Sequence, residues 1–289
     1  YQHLDIIQAH DPELVLILAG DHVYKMDYGP MIAFHVAHAA DVTLGMVQVP
    51  VNQAHEFGIA TVAADQRIVK FSEKPRNPEP MPGRDDAALA SMCIYVFSVD
   101  YLRAILNRDA LDPASAHDFG KNIIPTMLAA GEKLVAWNFE GYWKDVGTIE
   151  SLWDANMDLL QIPPPINLHD RKWRIYARNV GEPPHYASSK GVIRDSLITE
   201  GCEIFGEVVH SVLSADVHVC EGARVIDSVI MPHAVIGKGA LIRRAIIAEN
   251  AVIGENAVIG EESGNIAVVG SNTHVEPGTQ IKAGEQLGE

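Results

Sequence analysis

The sequence predicts an α/β protein in two parts: a layered, mostly parallel sheet flanked by helices, then a parallel β-helix. Two observations predict this. In the first half, short apolar runs alternate with helix-like stretches, the rhythm of a layered α/β sheet. Toward the end, aliphatic residues recur in steps of six, six and five, a true period of 17 residues. A helix of period 3.6 cannot produce that spacing, whereas a coil with three short sides per turn can.

The bulk numbers allow this. A chain of 289 residues, 47% hydrophobic and 21% charged, is long enough for two domains and can bury a core. Its formal net charge of −16 argues against binding to nucleic acid, which rests on basic patches. An anionic substrate therefore needs local help from a cation or placed lysines. Cys93, Cys202 and Cys220 show no pairing by spacing, so a reducing, cytoplasmic setting is expected. No apolar run approaches a membrane span, and no signal peptide is expected.

In chain order, Val15–Ala19 reads as a buried strand. Asp27 can cap a helix over roughly residues 28–39, with Pro30 tolerated in its first turn. "DVTLGMVQVP" is a second strand, rich in β-branched residues. "FGIATV" and "RIVKFSEK" flank "AADQ" as a hairpin. "ASMCIYVFSVD" is a strand that leads into a helix through Arg103–Arg108. Ser115 or Asp118 can start a helix ending at Gly131, "LVAWNFE" is a strand, and Ile149–Gln161 a helix. This first domain is expected over residues 1–162.

Prolines at 163–165 and 183–184 mark an extended connection over 163–190, with Trp173 and Tyr176 as its expected anchors. Over 191–289 the repeat takes over. Leu213, Val219, Val225, Ile230, Ile236, Ile242, Ile247, Ile253 and Ile259 are expected to point inward. Ala223, Ala234, Ala240, Ala251 and Ala257 fit tight corners, and Gly and Asn supply positive φ there. This is the hexapeptide-repeat signature, and six-residue repeats are the mark of a left-handed coil.

Several residues could carry chemistry. Asp21 follows a buried strand and a glycine, where open α/β sheets bind ligands, and is placed to hold a hard cation; it could equally cap or turn the chain. Asp145 in "YWKDVGT" also follows an apolar strand and precedes Gly147. Two such carboxylates can share one Mg²⁺ for phosphoryl or nucleotidyl transfer, though Asp145 alone also suits a helix N-terminus. Glu73 and Lys74 end a hairpin strand before Pro75; lysine suits a phosphate and glutamate suits sugar hydroxyls, but an exposed solvated pair is the ordinary alternative. Asp118 and Lys121 flank Phe119 near a helix start, and Ser91 opens a strand. P-loop, Gly-x-Gly-x-x-Gly, zinc-spaced and Ser-His-Asp patterns do not stand out.

"LAGDHVYKMDY", "FSEKPRNP", "LASMCIYVF", "HDFGKNIIP", "YWKDVGTIESLWDANMDLL", "INLHDRKWRIY" and the hexapeptide tail occur in this order. Together they closely resemble the bacterial ADP-glucose pyrophosphorylases, or glucose-1-phosphate adenylyltransferases, over essentially the whole chain. The resemblance implies a Rossmann-like nucleotidyltransferase fold, adenylyl transfer from ATP to glucose 1-phosphate for glycogen synthesis, and a Mg²⁺ cofactor. It further implies a homotetramer with an allosteric site between the domains. By resemblance, Asp21 is the catalytic, metal-binding aspartate and Asp145 the second metal aspartate. Lys74 is catalytic and, with Glu73, forms the glucose 1-phosphate site. Ser91, Asp118, Phe119, Lys121 and Trp143 line the sugar site, and Gly58 lies near the sugar. The family's glycine-rich triphosphate loop and adenine-site strand match nothing in this sequence, so weak or absent activity is expected of these 289 residues alone. Alternatives are a thymidylyl- or uridylyltransferase, a non-catalytic regulatory subunit, and an acyltransferase using His210, His218, His233 or His274.

Overall fold

The computed structural model describes residues 1–177 and 181–288. The chain divides into two compact units: Tyr1–Gly20 with Lys25–Trp143, and Asp21–Tyr24 with Lys144–Glu289.

The first unit begins with a single short helix, α1 (Leu4–Ala9), and then strand β1 (Leu14–Ile17). The short strand β2 (His22–Tyr24) follows, and belongs to the second unit. Helix α2 (Gly29–His38) starts one residue later than Asp27 suggests. Asp27 Oδ1 accepts from Gly29 N at 2.9 Å, while Tyr28 takes the capping position and Pro30 lies in the first turn. Then come β3 (Val42–Pro50), the hairpin β4 (Gly58–Val62) and β5 (Ile68–Glu73), and the long β6 (Ala87–Ser98). Helix α3 (Val99–Asp109) follows directly. Asp118, not Ser115, caps the next helical stretch: its Oδ1 accepts from Lys121 N at 2.8 Å. A π-helical turn over Phe119–Ile123 runs into α4 (Ile124–Ala129), and Gly131 ends it at φ 77°. Strands β7 (Leu134–Asn138) and β8 (Trp143–Asp145) close this part of the chain.

The sheet is mixed rather than mostly parallel. Strand β6 runs antiparallel to β1, β3 and β4, and β4 runs antiparallel to β5; β3 and β7 pair in parallel. The physical reason is connectivity. Between β3 and β6 the chain makes a hairpin and no crossover helix, so those strands reverse, whereas α3 and α4 intervene before β7. Val42, Leu44, Met46, Phe97, Ile124, Met127 and Leu134 pack as its buried core.

The second unit contains helix α5 (Ile149–Asp158) and a coil of short parallel strands, from β9 (Tyr186–Ala187) to β26 (Gln286–Leu287). These strands stack into three sheets. Val208 pairs with Val225, Val225 with Ile242, and Ile242 with Ile259, so each turn takes 17 residues. Ile259 then pairs with Ile281, because the chain bulges out around residues 261–265 before closing that turn. Every inward aliphatic residue predicted from the repeat is at most 1% exposed, and the five corner alanines are fully buried. The coil is a left-handed parallel β-helix of hexapeptide repeats. The corners hold glycine and asparagine at positive φ, as at Gly222, Gly239, Asn256 and Gly278, but also a column of Asp195, His210, Asp227 and Arg244. Of the expected connection, residues 178–180 lie outside the described residues. Tyr176 and Trp173, expected as anchors, are both exposed, Tyr176 at 92%, and among the described residues of the connection Ile166 is the buried one.

Candidate active site

The second unit brings Asp21 and Asp145 together. The two short strands β2 and β8 pair, and Val146 N donates to Asp21 O at 3.0 Å. Asp21 immediately precedes β2 and Asp145 ends β8, so the ladder sets both carboxylates side by side. His22 joins them: the ligand atoms of Asp21, His22 and Asp145 all lie within 4.8 Å of one another. His22 Nε2 stands 3.5 Å from Asp21 Oδ1 and 3.6 Å from Asp145 Oδ2, and its side chain is buried while Asp21 remains open.

Gly147 matters to this cluster. Its N–H donates to Asp145 Oδ1 at 2.7 Å. A Cβ there would sit 2.9 Å from Asp145 Oδ1 and 3.7 Å from Asp21 Oδ2, so only glycine leaves the carboxylates this room. Thr148 then starts α5 with a reciprocal capping box to Ser151. One open and one half-buried carboxylate with a glycine beside them are a donor set that fits a hard divalent cation, which prefers oxygen ligands.

The first unit brings together Gly58, Glu73, Lys74, Asp118 and Lys121. Gly58 lies opposite Glu73 in the β4–β5 register. The Glu73 carboxylate is wedged against backbone: a Cβ on Gly58 would come within 2.8 Å of Oε2, and one on Gly120 within 2.3 Å. Burial above all, and then the Asp118 carboxylate, push the Glu73 pKa up, against the opposing pull of Lys74 and Lys121. Lys74 leaves the strand at φ 45° with its N–H bonded to Phe57 O, which turns an exposed side chain away from the ladder. Phe119 stacks on Tyr95 with ring centroids 5.2 Å apart. Trp143 meets Phe57 edge-on at 5.3 Å.

Ser91 is buried just before a bulge in β6, where Gly45 pairs with Ile94 but Met46 with Ser91. Cys93, at φ 52°, donates its N–H to Ser91 Oγ at 3.3 Å. Bulges of this kind re-aim side chains. Tyr95 bonds to Ser91, and burial raises its pKa strongly, so its hydroxyl stays protonated.

Sequence reasoning missed His22, Gly120 and Tyr95. The first two stand beside predicted residues in "GDH" and "DFG", but adjacency alone carries no geometry. Three of the four coil histidines of the acyltransferase alternative are occupied with acids on adjacent turns: His210 with Asp227, His218 with Glu203, and His233 with Asp216.

The family described as nucleotidyl transferase matches residues 1–162, and the one described as GlmU-like C-terminal hexapeptide matches residues 184–267. Curated relatives include glucose-1-phosphate adenylyltransferases of Bacillus cereus (strain ATCC 10987 / NRS 248), Bacillus mycoides (strain KBAB4) and Bacillus anthracis. Each is 50% identical over 238 residues, covering 82% of this chain and 61% of the relative. The chain thus spans under two thirds of the length of the relatives it matches. Among the described residues no helix is long and apolar enough to cross a membrane.

Proposed function

The chain belongs to the nucleotidyl transferase family, and from that premise we propose that the whole protein transfers the adenylyl group of ATP to glucose 1-phosphate. The products are ADP-glucose, for glycogen synthesis, and pyrophosphate. The observation that carries this proposal is the pair of carboxylates, Asp21 and Asp145, within 4.8 Å of each other and of His22. The names of the relatives support the choice of base and sugar.

Members of the family generally use a divalent metal ion, taken here to be Mg²⁺ held by Asp21 and Asp145. When bound, that ion supplies positive charge to phosphate oxygens, which a chain of net charge −16 otherwise repels. The sugar-phosphate oxygen forms a bond to the α-phosphorus as the bond to pyrophosphate breaks. No covalent nucleophile from the protein is needed, so positioning and charge do the work. Lys74 offers a point charge for the sugar phosphate. Glu73, its carboxylate fixed against Gly58 and Gly120, accepts from sugar hydroxyls. Ser91, Asp118, Phe119, Lys121 and Trp143 complete the sugar wall. His22 steadies the two carboxylates. Residues 1–162 act as the catalytic part, 163–190 as a connection and 191–289 as the assembly part, in a cytoplasmic homotetramer.

A nucleotide panel on the whole protein tests the reaction. ATP with glucose 1-phosphate should be turned over best, and a preference for dTTP or UTP would overturn the assignment. Light scattering tests the assembly: a tetramer is expected, and a stable monomer would count against it.

A further inference from the structure

We propose that Lys144 and Arg244 are positioning residues that tie the carboxylate of Asp145 to the coil through helix α5; this rests on the metal role proposed above for Asp145.

Successive side chains on a strand point to opposite faces, so Lys144 and Asp145 of β8 diverge. Lys144 Nζ reaches forward onto α5, 2.8 Å from Asp158 Oδ2 and 3.6 Å from Asp154 Oδ2. Between the strand and the helix lie only Val146, Gly147 and the capping Thr148. The ion pairs therefore hold the second half of α5 against β8 while the capping box fixes its first turn, with Asp145 at the junction.

Helix α5 is in turn seated on the coil. Its Met157 packs with Val229, Ile246 and Ile266 on the outer face of one coil sheet. Trp153 spans two successive corners of a single column. Its Nε1 donates to Asp227 O at 2.8 Å, and the Arg244 guanidinium lies over its ring, 4.5 Å from the centroid.

Arg244 occupies its corner at φ 41°, a backbone conformation that glycine or asparagine holds with far less strain. Asn250, Asn256 and Asn272 fill other corners of the same coil in that conformation. An arginine there is a poor choice for the turn itself, but it places a cation on Trp153. Its Nε is buried without a hydrogen-bond partner, while another guanidinium nitrogen donates to Gly264 O at 3.3 Å, so stacking on Trp153 and this bond together hold the group.

Partly exposed ion pairs such as Lys144–Asp154 add little to stability. Groups that orient a metal ligand, by contrast, change metal affinity about tenfold or more. The two effects can be separated. Arg244→Asn removes the stacked cation yet suits the corner backbone, so the coil should melt no lower than the parent. Manganese(II) titration followed by electron paramagnetic resonance, with Asp145→Asn defining the site, reads the affinity without turnover. Arg244→Asn and Lys144→Ala should each weaken that site about tenfold, with Lys144→Arg close to the parent. If Asp145→Asn abolishes the site while Arg244→Asn and Lys144→Ala bind manganese like the parent, the coupling is overturned and the metal role of Asp145 stands. If Asp145→Asn itself leaves binding unchanged, the metal role falls and the coupling with it.

Discussion

Glu73, proposed above to meet the sugar, shows at one residue how a confined carboxylate can cost stability. Its carboxylate is pressed between Gly58 and Gly120, and burial raises its pKa. Folded, the group holds its proton more tightly than it does unfolded. Stability from this group is therefore present at low pH and is lost as pH rises through the raised folded value. At neutral pH the charged carboxylate is a cost that a packing residue would not carry. Glu73→Gln keeps the shape and removes the charge. It should raise the melting temperature at neutral pH, flatten its dependence on mildly acidic pH, and raise the Michaelis constant for glucose 1-phosphate. A melting temperature that falls instead would show that the carboxylate is well compensated. The proposed role of Glu73 is suggested by its place before Lys74 and Pro75, but its confinement was not legible, because Gly120 lies far along the chain and only the fold brings it within reach.

At the scale of elements, repetition made the coil the most legible part of the chain. Each inward position of the 17-residue period recurs with the same chemistry, and each of the nine aliphatic residues named from it is buried. Ile242 pairs with residues on the turns before and after it, so a cavity there is felt on both sides. Ile242→Ala should destabilise the coil by about 2–5 kcal/mol, read by chemical denaturation, and a loss well under that would mean the stack collapses around the gap. The α/β part was less legible. Its helices and most strands could be placed from apolar runs, caps and proline. Strand direction could not, because a hairpin and a crossover differ in where the chain goes and not in local pattern. The three-residue strands β2 and β8 escaped notice because so short a run has no periodicity. They are nonetheless the elements that join Asp21 to Asp145.

For the whole molecule, the sequence carried the chemistry as motifs and the structure grouped them. Asp21 and Asp145 lie more than a hundred positions apart in the chain yet flank one ladder. Gly58, Glu73 and Asp118 collect around one carboxylate in the other unit. For the proposed reaction an acidic protein must gather positive charge locally for its phosphate substrates, and the proposed metal pair is where it would do so. The central claim is therefore that these two aspartates act as one unit. It is tested by initial rates of ADP-glucose formation in the whole protein carrying Asp21→Asn, Asp145→Asn or both, with circular dichroism as the check on folding. Each single change should lower turnover on the order of a hundredfold or more with the fold retained, and the double change should cost little beyond the worse single one. Single variants that turn over like the parent, or losses that simply multiply in the double variant, would contradict it.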